Sequence, residues 1–422
     1  MRVAHLLRKY DPTEWGGTET AIERLAAGLA GRDVASIVFA PRLPHAGVAA
    51  DPLVAAGCVV RRFRAFVPIW GISAARRQQM IAVGGNVLSF DLMRGLWREP
   101  GLDVIHAHAL GRLGAIGRAV ARERRLPFVL SVHGGAYDLP PAVRAELHRP
   151  AAGGWDWGKP LGWLLRARQL FAECDAIITV NGREAALIRA RHPGRRVWVQ
   201  PHGVPAADFA VDHRPAARAA FPEICDRAVL LLPGRIDPVK NQDWVVAQAA
   251  ELARRHPRVL LVLAGPCTQH EYGAALAARI AREGLGHRVR LTGKLPPGDA
   301  RLIGLFQEAQ AVVLPSLSET FGLVILEAWA AGTPVIASRT SGALALVADG
   351  VNGSLFELER PESFHAALDR LWAQPGRRAE WGAAGRAKVV AEFDTTVLAR
   401  RMEQFYAELI AGNHAHGHSA RR

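Results

Sequence analysis

The feature that most constrains this chain is the alternation of short apolar segments, rich in β-branched residues, with longer segments of helical periodicity. The alternation continues from the N-terminus to about residue 380 of the 422 residues. Parallel strands need crossover helices between them, so this order of elements predicts parallel sheets built from βαβ units. Because a domain usually holds about 150 residues, the length accommodates two or three domains. We expect an α/β fold in which each half forms a doubly wound parallel sheet.

The apolar segments give a set of predicted strands, and segments without periodicity give the domain boundaries. Residues 206–222 follow Pro201–Pro205 and have no clear period, so we interpret them as a linker between domains at 1–205 and 206–383. An amphipathic helix is expected over residues 384–410, returning across the linker to complete the first domain. The predicted strands are Val3–Leu7, Val34–Ala40, Asp103–Ala107, Pro127–Val132, Ala176–Val180, Val197–Gln200, Ala228–Leu232, Val259–Ala264, Val289–Thr292, Ala311–Leu314 and Pro334–Ala337.

Composition excludes several classes of protein. Half of the residues are hydrophobic and 22% are charged, which is the balance of a globular enzyme rather than of a disordered or fibrous chain. The four cysteines are far apart and lack histidine partners at zinc spacing, so neither a disulfide framework nor a structural zinc site is expected. With no signal-peptide stretch and no segment approaching the roughly 18 apolar residues of a membrane span, we expect a cytoplasmic protein. Residues 411–422 contain three alternating histidines, and their composition favours a disordered tail over a metal site.

The strongest functional signal is the segment from Glu319 to Glu327, which reads Glu-Thr-Phe-Gly-Leu-Val-Ile-Leu-Glu. A buried strand ends at Pro315, and a nearly apolar helix begins near Phe321–Gly322. The unpaired N–H groups and the positive dipole at such a helix N-terminus suit a phosphate. Two carboxylates beside a phosphate site would bind hydroxyl groups, as an acidic residue does on ribose. The alternative is structural: Glu319 caps the helix and Glu327 has an internal partner.

A second signal is the loop Gly234-Arg235-Ile-Asp-Pro-Val-Lys240, which lies between a predicted strand and a helical segment. Ligands of open α/β sheets bind at the carboxyl ends of strands, so Arg235 and Lys240 would face an anionic ligand there. Taken alone, two loop cations are more often solvated surface. The neighbouring helix N-terminus, which is suited to an anion, favours the functional interpretation.

Weaker signals lie in the first half of the chain. Gly16-Gly17 precedes a helix and lets backbone approach a phosphate, although neither GxGxxG nor GxxxxGK[ST] is present. His133 ends a predicted strand, where a histidine either donates a hydrogen bond to a substrate or is an ordinary polar loop residue. His106 and His108 also end a strand, but without a third ligand they do not indicate a metal site. The absence of any Asp-x-Asp pair argues against a divalent cation held for a sugar nucleotide.

Together these motifs resemble the retaining GT-B glycosyltransferases of family 4, the glycosyl transferases group 1. The Glu-x7-Glu segment and the following Ala-Trp-Ala-Ala-Gly-Thr-Pro-Val resemble the donor-site signature of that family. The resemblance implies two Rossmann-like domains facing a cleft, the N-terminal domain binding the acceptor and the C-terminal domain binding a nucleotide sugar, with no metal or other cofactor. Further segments in the family's order are Gly16-Gly17-x-Glu19, Asp103-Val-Ile-His-Ala-His108, Ser131-Val-His133-Gly134, Pro201-His-Gly203-Val, Gly234-Arg235 with Lys240, and Asp349-Gly-Val-Asn-Gly353.

The resemblance also implies a role for each matching residue. Arg235 and Lys240 would bind the diphosphate, helped by backbone at Gly17 and at Phe321–Leu323. Glu319 would contact hydroxyls of the transferred sugar, Glu327 the ribose, and His133 the sugar near the reacting carbon. The implied catalytic set is His133, Arg235, Lys240 and Glu319, and the implied donor-binding set is Gly16, Gly17, Arg235, Lys240, Glu319, Thr320, Phe321, Gly322, Leu323 and Glu327.

Three positions depart from the family's pattern. Trp329 stands where a small or flexible residue is usual, which we interpret as core packing. Ala345 stands where many members have Glu, which puts a contact at a helix start in doubt. His202 replaces a common Asn, and the sequence assigns it no role.

The implied reaction transfers a hexose from a nucleoside-diphosphate sugar to an acceptor hydroxyl with retention of configuration, in bacterial-type exopolysaccharide, lipopolysaccharide or glycolipid assembly. A sugar-nucleotide epimerase of the same architecture is the alternative enzyme. A basic nucleic-acid-binding protein is the alternative from another class, although the sequence contains no recognisable binding module. The sequence specifies neither the nucleotide base, the sugar, the acceptor and linkage, nor the oligomeric state.

The distribution of charge points to a further partner. Lys and Arg number 53 against 39 Asp and Glu, a net charge of +14. Residues 1–205 hold 28 basic and 16 acidic residues (+12), which leaves 25 and 23 (+2) for residues 206–422. Much of the excess lies in Arg61–Arg77, which mixes five arginines with Phe63, Phe66, Ile69 and Trp70. This stretch is either a surface for an anionic membrane and a lipid-linked acceptor, giving peripheral attachment at the cytoplasmic face, or an ordinary exposed segment.

Overall fold

The computed structural model describes residues 1–11, 16–42, 51–82, 85, 87–135, 137, 153–374 and 376–419, without the side chains of residues 79, 82 and 414–419. The described residues divide into two compact units. The first unit is formed by Met1–Pro201 with Leu398–Arg422, and the second by His202–Val397. Among the described residues, no helix combines the length and the apolar character that are needed to cross a membrane.

The first unit is built on a seven-stranded parallel sheet. Its strands are β1 (Arg2–Leu6), β2 (Ala35–Pro41), β3 (Val59–Phe63), β5 (Val104–Ala107), β6 (Phe128–Val132), β8 (Ala176–Thr179) and β9 (Val197–Val199), with β4 (Ile69–Trp70) and β7 (Trp155–Asp156) forming a separate antiparallel pair. The sheet order is β3-β2-β1-β5-β6-β8-β9, so the winding reverses between β1 and β5. In register, His5 of β1 pairs with His106 of β5, which in turn pairs with Val129 of β6.

Helices connect these strands. They are α1 (Gly17–Ala30), α2 (Pro52–Ala55), α3 (Ala74–Ala82), α4 (Phe90–Arg98), α5 (Gly111–Arg124), α6 (Lys159–Leu164), α7 (Leu170–Glu173) and α8 (Gly182–Arg191).

The second unit contains a six-stranded parallel sheet. Its strands are β10 (Ala228–Pro233), β11 (Val259–Ala264), β12 (Val289–Gly293), β13 (Ala311–Leu314), β14 (Val335–Ser338) and β15 (Gly353–Phe356), in the order β12-β11-β10-β13-β14-β15. Its helices are α9 (Arg214–Ala220), α10 (Gln242–Ala247), α11 (Ala249–Arg255), α12 (His270–Arg282), α13 (Ala300–Glu308), α14 (Leu323–Ala330), α15 (Ser341–Leu346), α16 (Pro361–Ala373) and α17 (Arg377–Lys388). The winding reverses between β10 and β13, which is where ligands of doubly wound sheets bind.

Both sheets have the Rossmann-like order, so the predicted α/β fold class is confirmed. All the predicted strands are present, and each end lies within one residue of its prediction. The sequence analysis missed β3 and β15, which form edges of the two sheets, and the short pair β4 and β7. In β3, Arg61 and Arg62 interrupt the apolar pattern because an edge strand need not be buried on both faces.

The prediction of one helix over residues 384–410 is wrong. Helix α17 ends at Lys388, a π-helical turn covers Val389–Phe393, and α18 begins at Thr395 and ends at Ser419. The break has a local cause, because the Asp394 carboxylate accepts hydrogen bonds from the backbone N–H of Thr396 at 2.8 Å and from its hydroxyl at 2.5 Å, which caps α18. Helix occupies the described residues as far as Ser419, where we expected a disordered tail; residues 420–422 lie outside the described residues.

Helix α18 packs on the first sheet. Five of its side chains are buried with residues of β1, β5, β6 and β8, namely Ala399, Met402, Phe405, Tyr406 and Leu409. Gln200, which follows β9, donates a hydrogen bond from Nε2 to the carbonyl oxygen of Leu398 at 2.9 Å and so holds the first turn of α18 against the sheet. The apolar face of a helix is stabilised mainly by such burial, so the C-terminal segment belongs to the core of the first unit.

Candidate functional site

The loop that carries Arg235 and Lys240 leaves the carboxyl end of β10 through a tight turn. Gly234 has φ of 135°, a conformation that favours glycine, and its carbonyl oxygen would lie 2.0 Å from a Cβ placed on Gly265. The backbone of Ile236 then bonds to Pro266, with N and O 2.8 Å apart. These contacts hold the loop against the end of β11 and direct the following residues to the edge of the sheet where the winding reverses.

Asp237 organises the two cations of this loop. Its side chain is 5% exposed, and its Oδ1 accepts a hydrogen bond from the backbone N–H of Lys240 at 3.0 Å. Its other oxygen lies 3.2 Å from the guanidinium of Arg235, whose side chain is 51% exposed. The sequence analysis did not select Asp237. A carboxylate three residues before Lys240, in position to accept its N–H, is the signal that could have found it.

The loop after β13 carries the first carboxylate of the Glu-x7-Glu segment. Lys240 Nζ lies 2.5 Å from Glu319 Oε2, and both side chains are mostly buried, with 18% and 19% exposed. The two loops are also joined through backbone, because the N–H of Leu317 donates to the carbonyl oxygen of Val239 at 2.8 Å. The structure therefore brings Arg235, Lys240 and Glu319 into one connected cluster.

Two glycines, Gly322 and Gly342, determine the backbone conformation where α14 begins. Gly322 has φ of 95°, and α14 begins directly after it with no side chain capping its N-terminus. The carbonyl oxygen of Glu319 accepts hydrogen bonds from the N–H of Gly342 at 2.7 Å and from the Ser341 hydroxyl at 3.1 Å. A Cβ at Gly342 would lie within 2.8 Å of the carbonyl oxygens of Glu319 and Phe321. The peptide between strand and helix is thus held in place beside a helix N-terminus that no side chain caps.

Glu327 lies on the same face of α14 as the helix entry. Glu327 and its i−4 neighbour Leu323 are half-buried, whereas Ile325, Leu326 and Ala328 are buried. The other predicted residues of the entry are Thr320, which is half-buried, and Phe321, which is buried and contacts His202 edge-on with ring centroids 5.1 Å apart.

Trp329 occupies the buried side of the same helix. It is fully buried, donates from Nε1 to the carbonyl oxygen of Asn352 at 2.8 Å, and would clash with any side chain at Gly385. The interpretation of Trp329 as core packing is confirmed.

Three of the residues that were predicted to bind the donor or to act in catalysis lie in the first unit. Gly16 precedes α1 with extended backbone, and its N–H donates to Oε2 of Glu19 at 3.1 Å. Gly17 is exposed and begins the helix. His133 follows the carboxyl end of β6. The remaining predicted residues lie in the second unit.

His133 belongs to a cluster of four histidines at the carboxyl ends of β1, β5 and β6. Nδ1 of His5 lies 3.1 Å from Nε2 of His108, and Nδ1 of His108 lies 2.8 Å from Nε2 of His133. His106 is bonded differently, with Nε2 2.6 Å from the Ser131 hydroxyl and Nδ1 2.6 Å from the Tyr406 hydroxyl. The sequence analysis missed His5, because only the order of the strands brings it beside the other rings.

Burial favours the neutral form of three of these four rings at physiological pH. It lowers the pKa of His5 to about 4 and holds the pKa of His106 well below its usual range. The pKa of His133 is lowered to about 4, mainly by burial and further by the positive charge of Arg8. Neutral imidazole is also the form that binds metals, and ligating nitrogens of His5, His106 and His108 lie within 4.8 Å of one another. A metal there would have to displace the Ser131 or Tyr406 bonds of His106 and the His5–His108 contact.

Comparisons with known proteins agree with this architecture. The family model Glycosyl transferases group 1 matches residues 214–388, and Glycosyltransferase Family 4 matches residues 15–208. A D-inositol 3-phosphate glycosyltransferase of Frankia alni is 34% identical over 324 residues, covering 74% of this chain and 76% of the relative. A protein of the same name from Acidothermus cellulolyticus is 32% identical over 295 residues, covering 67% of this chain; the chain spans 62% of that relative's length.

A solved structure shows the same fold. The crystal structure of Anabaena HepE in complex with UDP and glucose superimposes with a TM-score of 0.72 and 20% identity, covering 96% of this chain and 99% of HepE. Two Rossmann-like units, with a cation cluster at the strand ends of the second, define the class as GT-B glycosyltransferases. The chain belongs to the family of glycosyl transferases group 1.

Proposed function

We propose that this chain transfers a hexose from a nucleoside-diphosphate sugar to an acceptor hydroxyl with retention of configuration, without a metal. The observation that carries this proposal is the connected cluster of Arg235, Asp237, Lys240 and Glu319 next to the uncapped N-terminus of α14. A diphosphate needs positive charge and N–H donors, which the two cations and the start of α14 offer. A sugar needs acceptors for its hydroxyl groups, which the carboxylates offer. HepE, whose solved structure holds UDP and glucose, supports a nucleotide sugar as the ligand.

Leaving-group stabilisation is the role proposed for the two cations. Cleavage of the glycosyl bond places negative charge on the departing diphosphate, and preorganised donors are worth most where charge develops. Arg235 and Lys240 would neutralise this charge together with the N–H groups at the start of α14. These groups would supply the charge that a divalent cation supplies in other sites, which is the basis for proposing that no metal is needed.

The two carboxylates would bind the two sugars of the donor. Glu319 holds Lys240 through Oε2, and its Oε1 would accept a hydroxyl of the transferred hexose. Glu327, one helical turn beyond Leu323, would accept ribose hydroxyls. The family resemblance alone assigns the Gly16–Gly17 backbone to the diphosphate and His133 to the transferred sugar. Retention likewise rests on the resemblance, which implies attack from the face of the leaving phosphate, with that phosphate taking the acceptor's proton.

We also propose that the acceptor is lipid-linked and that the first unit attaches to an anionic membrane surface. Not all of the stretch Arg61–Arg77 is available to contact a membrane. Phe63 and Ile69 are core residues, and Arg61 and Arg62 form ion pairs with Glu99 and Asp51 at 3.0 and 3.3 Å.

One exposed part of this stretch forms a small aromatic surface together with Trp155, and this surface consists of Trp70, Trp155 and Arg77. The other exposed arginines of the stretch are Arg64 and Arg76. The two tryptophans are each 62% exposed, with ring centroids 5.2 Å apart. Arg77 is exposed and donates to the carbonyl oxygen of Ile69 at 3.2 Å. Tryptophan and arginine together suit the interface of an anionic bilayer.

Binding of the nucleotide tests the donor proposal. Thermal unfolding of the full chain would be followed with UDP, GDP and ADP, since a ligand that binds only the folded state raises Tm. One of the three should raise Tm in the wild type and in Arg254→Ala, a control whose side chain is 70% exposed and pairs with Glu251. Lys240→Ala should bind the nucleotide more weakly and reduce the shift. An unchanged shift in Lys240→Ala would contradict the proposed site.

Product analysis then separates transfer from epimerisation. The wild type would be incubated with the matching nucleotide sugar, with and without candidate lipid-linked acceptors, and the products resolved by chromatography. A transferase releases free nucleoside diphosphate in step with a glycosylated acceptor. An epimerised nucleotide sugar in the absence of acceptor would support the alternative enzyme instead.

A further inference from the structure

A concave cavity lies on the first unit between helix α4 and the edge strand β3. Its volume is about 370 Å³, which is within the range of small-molecule sites. All of its lining residues belong to the first unit, and none of them is among those assigned to the sugar donor. In the sheet order β3 is four strands from β6, the strand that precedes His133, which is roughly 19 Å across the sheet. The cavity is therefore separate from the residues that the proposed function uses.

Two aromatic rings form the base of the cavity. Phe39 of β2 and Phe63 of β3 line it, and both residues are buried. Gly95 of α4 also lines the cavity, and a Cβ there would lie 3.2 Å from Cε1 of Phe39. The lack of a side chain at Gly95 lets the backbone of α4 lie close to the sheet, which brings the arginines of that helix to the cavity beside the two rings.

Four arginines line the cavity, and the fold occupies two of them. Arg61 Nε lies 3.0 Å from the carboxylate of Glu99, which Arg2 also contacts at 3.2 Å. Arg62 pairs with Asp51 at 3.3 Å. These ion pairs connect β3 to neighbouring segments of the chain, so the guanidinium groups of Arg61 and Arg62 already have anionic partners.

The other two arginines, Arg94 and Arg98, have no such partners. Both are exposed, and among the residues that the structure describes neither side chain forms an ion pair or a hydrogen bond. They are four residues apart on α4 and so lie on the same face of the helix. Asp91, the second carboxylate of the cavity, is exposed and accepts the backbone N–H of Arg64 at 3.3 Å. Five arginines against three carboxylates, counting the ion-pair partners, give this region a net charge of +2.

A phosphate group matches the chemistry of this cavity. The guanidinium group of arginine presents its N–H donors in a planar fork that fits two phosphate oxygens, and such charge-assisted hydrogen bonds are roughly twice as strong as neutral ones. A phosphomonoester carries about two negative charges at neutral pH, which equals the charge of the two unpaired guanidinium groups. The aromatic base offers an apolar surface for the organic part of such an ester.

We propose that the cavity between α4 and β3 binds a phosphomonoester, with Arg94 and Arg98 holding the phosphate and the organic group lying against Phe39 and Phe63. The ligand is either a small soluble phosphomonoester or the headgroup of phosphatidic acid, because both present the same dianion. The site does not rest on the proposed function, since its residues are distinct from those of the donor site.

Calorimetric titration of the full chain with glycerol 3-phosphate tests the soluble form of the ligand. Lys240→Ala is the background, because this substitution weakens phosphate binding at the proposed donor site. Arg94→Gln and Arg98→Gln should each raise Kd by about 10-fold or more, the loss expected for a hydrogen bond between charged groups. Asp91→Asn removes a negative charge from the cavity and should lower Kd.

The matched control is Arg254→Gln, whose side chain is 70% exposed and pairs with Glu251 outside the cavity. It should leave Kd unchanged. Arg94 and Arg98 are exposed, so their variants should unfold at the Tm of the wild type in the absence of the probe.

Co-sedimentation with vesicles tests the lipid form. Phosphatidylcholine vesicles with phosphatidic acid would be compared with vesicles in which phosphatidylglycerol, a phosphodiester, supplies the same surface charge. A preference for phosphatidic acid that the double variant Arg94→Gln and Arg98→Gln removes would identify the lipid headgroup as the source. Titration with glycerol 3-phosphate that depends on both arginines, without such a preference, would identify a soluble ester.

The result that would contradict the site is equally specific. Binding of neither probe would overturn the proposal. Binding that Arg94→Gln and Arg98→Gln leave unchanged, or that Arg254→Gln weakens as much as they do, would also overturn it, since the anion would then be bound elsewhere or only by the overall charge of the chain.

Discussion

Asp237 connects the two cations of the candidate donor site. Its carboxylate is almost fully buried and bonds at once to the backbone N–H of Lys240 and to the guanidinium of Arg235. Charge-assisted hydrogen bonds are roughly twice as strong as neutral ones, so this carboxylate fixes the loop more firmly than a neutral side chain could. The cations are thereby positioned before any ligand arrives, which is the condition for efficient stabilisation of a developing charge.

Acid should destabilise the first unit through its buried histidines. The folded pKa values of His5 and His133 are about 4, below the ordinary 6.5 of an unfolded chain. Between these values the unfolded chain binds more protons, so the free energy of unfolding falls as pH falls from 6.5 towards 4. Urea unfolding of the wild type and His5→Leu at a series of pH values checks this. His5→Leu should lose less stability over that window, and parallel profiles for the two proteins would contradict the expectation.

At the scale of secondary-structure elements, the start of α14 depends on one glycine. A Cβ at Gly322 would meet Cδ1 of Ile325 at 2.8 Å, in addition to the strain of φ at 95°. Gly332, at the other end of the helix, has φ of 74° but no atom within 4 Å of an added Cβ. Left-handed backbone costs a non-glycine residue roughly 1–2 kcal/mol.

Alanine at these two glycines should therefore have different effects. Gly332→Ala should lose about 1 kcal/mol of unfolding free energy and keep nucleotide binding. Gly322→Ala should lose more stability and also weaken nucleotide binding, because the first turn of α14 must shift. Chemical denaturation and calorimetric titration with the nucleotide check both effects. Equal losses of stability with intact binding in both variants would show that the helix entry does not form the site.

Local pattern predicted the strands and loops of this site, but not the features that depend on a single capping residue or on strand order. The strands and the loops bearing Arg235, Lys240 and Glu319 follow from apolar periodicity and glycine positions, which are local properties of the sequence. Asp394 was missed as a helix cap because its neighbours continue the amphipathic pattern across it. His5 could not be placed, since its contact with His108 spans 103 residues and depends on strand order.

For the molecule as a whole, the uneven charge makes a prediction about membranes. The first half carries +12 of the total +14, and the surface of Trp70, Trp155 and Arg77 is exposed. Co-sedimentation with anionic vesicles should be appreciable at low salt and weaken as salt is added, because screening shortens the reach of surface charge. The double variant Trp70→Ala and Trp155→Ala should bind less, and Arg254→Ala should bind as the wild type. Binding that does not depend on anionic lipid would refute the membrane proposal.

The central claim is that Arg235 and Lys240 stabilise the departing diphosphate. Its most direct test is single-turnover transfer from saturating nucleotide sugar by Arg235→Ala, Lys240→Ala and the control Arg254→Ala. Loss of one preorganised donor should lower the rate of the chemical step by about 10²–10³ for each cation and leave the control unchanged. A near-normal rate in Lys240→Ala with donor bound would contradict the account.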